Sequence, residues 1–115
     1  MAEVLQLNKI VGSIAGRFEL PLSKSMVNRA LLLAALFPEI TLSGMSTSKD
    51  SQYLKEVLSG YLGEQAYVGD GGTTLRFASA YWACQPGTVQ ELVGSEKLNK
   101  RPIAPLVDAL NSLGG

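Results

Sequence analysis

An apolar run from Ala30 to Leu36 is stopped by Pro38 and preceded by the polar stretch Ser23-Lys24-Ser25-Met26-Val27-Asn28-Arg29. That pattern leaves this part of the chain little to form except a buried helix with a charged mouth. Ser23 is its N-cap, and Lys24 to Arg29 occupy its first turns. Cations are out of place there. A helix N-terminus already carries roughly half a positive charge, and an added cation costs a few tenths to about 1 kcal/mol. A bound anion removes the conflict, because backbone N–H groups, a Lys and an Arg at one helix start make a phosphate or carboxylate site. Ser25 and Arg29 share a helix face and Lys24 lies about 100° round from Ser25, so two adjoining anionic groups can be held. The plainer alternative is a capping Ser23, a solvated Lys24 and an Arg29 paired with a local carboxylate.

Charge and composition narrow the function classes. Ten basic against ten acidic residues leave zero formal net charge, so no global field draws nucleic acid or an anionic membrane, and any anion site is local. A hydrophobic content of 46% in 115 residues suits a core of about one domain. With no His and a single Cys, Ser-His and Cys-His catalysis within the chain and any ordinary zinc site are excluded. Cys84, in Ala80-Tyr81-Trp82-Ala83-Cys84, is expected as a core thiol rather than a nucleophile. It can form no internal disulfide, which agrees with a cytoplasmic location. The first residues lack a basic region followed by an apolar one, and no apolar run approaches the roughly 18 residues of a span. Neither a signal peptide nor a membrane segment is expected.

Residues 3 to 20 alternate loosely around Gly12 and Gly16, as short strands joined by turns would. Ile40 to Ser43 reads as a further strand. The spacing of Tyr53, Leu54, Val57, Leu58, Tyr61 and Leu62 predicts an amphipathic helix over 48–62, closed by Gly63. Thr47 and Asp50 fit a capping box at its start, with ligand contact the alternative role for Asp50. Gln65 to Gly69 is a short strand running into Asp70-Gly71-Gly72-Thr73-Thr74 and an apolar helix through Trp82. Such a turn presents N–H groups to an anion with no Cβ in the way, although its spacing matches no nucleotide fingerprint. Arg76 falls in the first helical turn, either steadying the loop through an ion pair or touching a ligand. Thr88 to Val93 reads as a strand, 94–102 as a polar loop, and Pro102 as the first position of a last helix through Leu113, closed by Gly114. Basic residues thus stand at three helix starts, at Lys24 to Arg29, Gly71 to Arg76 and Lys100 to Arg101. If these units pack side by side, their starts face one cleft.

Three blocks carry a family resemblance: Ser23-Lys24-Ser25 with Asn28-Arg29-Ala30-Leu31-Leu32-Leu33-Ala34-Ala35-Leu36, Gly72-Thr73-Thr74-Leu75-Arg76-Phe77, and Lys100-Arg101-Pro102-Ile103 with Leu106-Val107-Asp108-Ala109-Leu110. In this order they resemble the 5-enolpyruvylshikimate-3-phosphate synthase family of the shikimate pathway. UDP-N-acetylglucosamine enolpyruvyl transferase is similar in architecture, but the Ser-Lys-Ser and Asn-Arg-Ala pairing favours the former. The resemblance implies an α/β (α+β) fold of repeated β-α-β-α-β-β units in two domains. Residues 1–20 would then belong with a second domain and 21–115 with part of the first. It implies transfer of the enolpyruvyl group of phosphoenolpyruvate to shikimate 3-phosphate, with no cofactor and no metal. Lys24, Ser25 and Arg29 would bind shikimate 3-phosphate. Lys24, Asp70, Gly72 and Arg101 would bind phosphoenolpyruvate, Lys24 would act in catalysis, and Asp50 would be an acid beside the cleft. Set against the longer chains of that family, this stretch is expected to be inert by itself or to bind phosphorylated metabolites without turnover. Leu22 and Asp70 depart from the family's usual Gly and Asn.

Overall fold

The computed structural model describes residues 3–60, 63 and 65–115. Its elements, in chain order, are α1 (Lys24–Leu36), α2 (Lys49–Leu58), β1 (Gln65–Gly69), α3 (Gly72–Ala83), β2 (Glu91–Gly94), α4 (Glu96–Asn99) and α5 (Ala104–Ser112). β1 and β2 pair in parallel, Gln65 with Glu91, Ala66 with Leu92 and Tyr67 with Val93, and the register slips before Gly69 meets Gly94. Parallel strands need a crossover, which α3 supplies, so the centre of the molecule is one β-α-β unit.

Two apolar clusters hold the elements together. Val57, Ala66, Val68, Ala78, Trp82 and Leu98 bury one face of the sheet beneath α2 and α3, and the Trp82 Nε1–H donates to the Val57 carbonyl at 3.2 Å. Leu31, Leu54 and Leu58 form the second cluster, where α1 meets α2 with Phe77 and Tyr81 of α3 alongside. In β1, Ala66 and Val68 are buried while Tyr67 between them is exposed. This is the alternation of a strand covered on one side. A buried polar tie joins α1 to α2: the Ser51 hydroxyl donates to Asn28 Oδ1 at 2.7 Å.

The structure corrects several expectations. Residues 3–20 form no strand, and Val4, Leu5, Leu7, Ile10, Val11, Ile14, Phe18 and Leu20 are 66% to 91% exposed. Their alternation suits a pleated, half-buried surface, but a strand is stable only with a neighbour to complete its backbone hydrogen bonds. Ile40 to Ser43 is irregular for the same reason, and is held by Leu42 packing on the second cluster. α1 is not fully buried: only Asn28 and Leu31 are, while Met26, Leu33 and Leu36 face outward.

Cap positions also differ from expectation. The N-cap of α2 is Ser48, whose Oγ accepts from the Ser51 N–H at 3.3 Å, so Thr47 and Asp50 make no capping box. α2 ends at Leu58, and Tyr61 and Leu62 lie outside the described residues. The expected polar loop after β2 contains α4, capped by Ser95 and anchored by Leu98, which is 1% exposed. Gly94 makes room for it, since a Cβ there would come within 2.6 Å of the Leu98 side chain. α5 begins at Ala104 with Pro105 in its first turn, so Pro102 precedes the helix rather than opening it. Cys84 is exposed, because it caps the C-terminus of α3 beyond the turn that buries Trp82.

Candidate functional site

The β-α-β unit places two connections at the carboxyl ends of its strands: Asp70 and Gly71 between β1 and α3, and the α4 segment that leads from β2 to Arg101. That end of an α/β sheet is where ligands are ordinarily held. The Ser95 N–H donates to the Gly69 carbonyl at 3.0 Å, which joins the two connections at their base. The first turn of α2 closes a third side, since the Thr74 hydroxyl donates to the Asp50 carbonyl at 3.1 Å.

Lys24 enters from α1. Ser23 caps that helix by accepting from the Met26 N–H at 3.4 Å. The Lys24 ammonium then reaches across to Asp50, Nζ to Oδ2 at 3.1 Å. Both side chains are partly solvated, and a pair of this kind contributes only about 0–1 kcal/mol. A stronger anion can therefore displace Asp50 from Lys24 at little cost.

The two glycines of the turn are there for space. A Cβ on Gly71 would come within 2.8 Å of the Thr74 hydroxyl and 3.0 Å of the Asp50 carboxylate. A Cβ on Gly72 would collide with the guanidinium groups of Arg101 and Arg76. Because the N-cap of α3 is Gly71, no side chain caps this helix, and its first N–H groups are left to water or a ligand.

The result is an open cavity of about 520 Å³ lined by Lys24, Asp50, Asp70, Gly71, Gly72, Thr73, Arg76 and Arg101. Three cations and two carboxylates share it in a chain of zero formal net charge. An uncapped helix start among several cations favours a compact anion.

Of the residues singled out in the sequence, the cavity brings together Lys24, Asp50, Asp70, Gly72 and Arg101. Ser25 and Arg29 are exposed on α1 and do not line it. Asp70 is exposed at the turn. Arg76 is held by two carbonyls rather than by an ion pair: it donates to Gly72 O at 3.1 Å and to Pro102 O at 2.8 Å. Gly71 and Thr73 also line the cavity; in the sequence they stood out as members of the glycine turn and, for Thr73, of the second of the three blocks. The buried Thr74, tied to Asp50, had no signal of its own.

Comparison with known proteins gives the same direction. Residues 48–115 match the sequence model of the EPSP synthase (3-phosphoshikimate 1-carboxyvinyltransferase) family. The 3-phosphoshikimate 1-carboxyvinyltransferase of Bacteroides fragilis is 37% identical over 102 residues, which is 88% of this chain and 24% of that relative. The enzyme of the same name from Opitutus terrae is 31% identical, over 99% of this chain and 32% of its own. That from Rhizobium leguminosarum is 36% identical, over 88% and 29% respectively. The chain thus spans between about a quarter and a third of the length of these relatives. No solved structure matches it significantly. Among the described residues no helix is long and apolar enough to cross a membrane.

Proposed function

The chain belongs to the EPSP synthase (3-phosphoshikimate 1-carboxyvinyltransferase) family, and from that premise we propose that it builds the cationic wall of a site transferring the enolpyruvyl group of phosphoenolpyruvate to shikimate 3-phosphate. The observation that carries this reading is the convergence of Lys24, Arg76 and Arg101 with the uncapped start of α3 on one cavity. Both proposed substrates are phosphorylated carboxylates, which need such a wall.

In this proposal Arg101 holds the anionic groups of phosphoenolpyruvate in its planar fork, beside the backbone of Gly72. Ser25 and Arg29, outside the cavity on α1, bind shikimate 3-phosphate. Lys24 stands between the two and neutralises charge as it develops at the reacting centre. Asp50 is the acid beside the cleft, paired with Lys24 until a substrate anion displaces it. Protonation of the enol carbon and attack by the shikimate hydroxyl, which gives up its proton, form a tetrahedral intermediate; inorganic phosphate then leaves together with a proton from the new methyl group, which restores the double bond. Electron flow of this kind calls for no metal or organic cofactor.

The same family reading assigns residues 21–115 to a domain of repeated β-α-β-α-β-β units and residues 1–20 to a neighbouring domain. It assigns the protein to the cytoplasm and makes the two small molecules its partners, with neither nucleic acid nor membrane involved. The exposed apolar side chains from Val4 to Leu20 support the second assignment, since they suit burial against another surface.

The test is a titration of the chain with phosphoenolpyruvate at saturating shikimate 3-phosphate, followed by amide resonances. Changes are expected at Lys24 to Arg29, at Gly71 to Thr73 and at Arg101, weakened in Lys24→Met and Arg101→Ala. A response no different from that to sulfate at equal ionic strength would overturn the proposal.

A further inference from the structure

We infer that Arg76 is a positioning residue that sets Arg101 in place, an inference that rests on the reading above for the identity of the ligand. Its guanidinium spans two segments far apart in the chain. Nη1 donates to the carbonyl of Gly72, one turn back in α3, and Nη2 donates to the carbonyl of Pro102. Pro102 directly follows Arg101, and its ring fixes its own φ near −65°. Anchoring the Pro102 carbonyl therefore restrains the peptide that carries Arg101.

The restraint matters because residues 100–103 lie between α4 and α5 and belong to no helix. The backbone there is tied on one side by the Arg101 N–H, which donates to Leu98 O at 2.9 Å. Arg76 supplies the tie on the other side. Among the described residues the side chain of Lys100 reaches only Glu96, at 3.6 Å on the exposed surface.

The two guanidiniums also divide the work between them. Both lie against Gly72. Arg76 spends donors on protein carbonyls, whereas the Arg101 side chain has no hydrogen-bond or ion-pair partner among the described residues. One arginine is committed to the scaffold and the other is free for an anion. A lysine cannot take over the first role, because an ammonium is a compact point charge and not a fork that spans two carbonyls.

A double-mutant cycle separates positioning from direct contact. Phosphoenolpyruvate affinity at saturating shikimate 3-phosphate is measured for the unmodified chain, Arg76→Lys, Arg101→Ala and the double variant, with Arg76→Gln as a second replacement and melting temperatures checked throughout. Arg76→Lys is expected to weaken binding about tenfold in the unmodified background and to change nothing further once Arg101 is gone. Equal losses in both backgrounds would mean that Arg76 touches the ligand itself, and an unchanged affinity would mean that it positions nothing; either overturns the inference. If the unmodified chain shows no binding, the functional reading fails, and the bridge is judged without ligand. Hindered rotation of the Arg76 guanidinium by nitrogen-15 resonance, with faster amide exchange at Arg101 and Ile103 in Arg76→Lys, upholds it. Free rotation refutes it.

Discussion

Lys24 and Asp50 join the first turns of α1 and α2 through an ion pair of 3.1 Å, at the mouth of the cavity and half in solvent. The pair satisfies Lys24 while no anion is present. It also places a carboxylate where an anionic ligand has to compete with it.

Asp50→Asn is therefore expected to strengthen phosphoenolpyruvate binding several-fold, since the amide competes less for Lys24. Stability should change by less than about 1 kcal/mol, as befits a partly exposed pair. Titration and urea unfolding measure the two effects. A loss of affinity would instead show that Asp50 holds Lys24 in its binding position.

Asp70 adds a second, exposed carboxylate to the same cavity. Removing its charge in Asp70→Asn is expected to raise anion affinity by a few-fold at low salt, with the gain shrinking as ionic strength approaches about 0.5 M. Binding measured across a salt series checks this. A gain that ignores salt would point to a direct contact by the side-chain amide.

Gly72→Ala separates stability from site geometry. The new methyl group would meet the ends of two arginine side chains, not backbone. Moving those ends aside loosens the Arg76 bond to the Gly72 carbonyl, while alanine, a better helix former than glycine, offsets part of that loss, up to about 1 kcal/mol. Melting temperature is expected to stay close to its starting value while phosphoenolpyruvate affinity falls at least tenfold. Retained affinity would show that Arg101 has no fixed place beside Gly72.

Asn28 lies on the buried face of α1 and accepts a hydrogen bond from the hydroxyl of Ser51, which is 0% exposed. Asn28→Ala leaves that donor without its partner and opens a small void. A loss of about 1–3 kcal/mol is expected in urea unfolding. Adding Ser51→Ala to it should recover part of the loss, and absence of any recovery would argue against the hydrogen bond as the cause.

Local chemistry made much of this architecture readable in the sequence. The strand at Gln65–Gly69, the glycine turn and the helix after it were set by β-propensity, the missing Cβ atoms and an apolar run. The cations that converge on the cavity could be named because each stands at or near a helix start. Pairings between distant segments were not readable. Nothing near Asp50 in the chain distinguishes a cap from a partner for Lys24, and nothing near Arg76 announces the Pro102 carbonyl. The N-terminal alternation misled for a related reason, since period-two patterning states that a surface will be half buried but not what will bury it. α4 was hidden by its polar residues, its one strong signal being Ser95 ahead of the buried Leu98.

The parallel pairing of β1 with β2 also fixes when the cavity can exist. During synthesis Lys24, Asp50 and Gly72 leave the ribosome before β2, and α1, α2 and α3 can begin to associate without it. Arg101 arrives only after β2 and α4, and Arg76 has no distant carbonyl to grip until Pro102 follows. Long-range parallel pairing is intrinsically slow to form. The cavity is thus completed in one late step, when the crossover closes, and a nascent chain short of Pro102 is a partly folded protein whose cationic wall is unfinished.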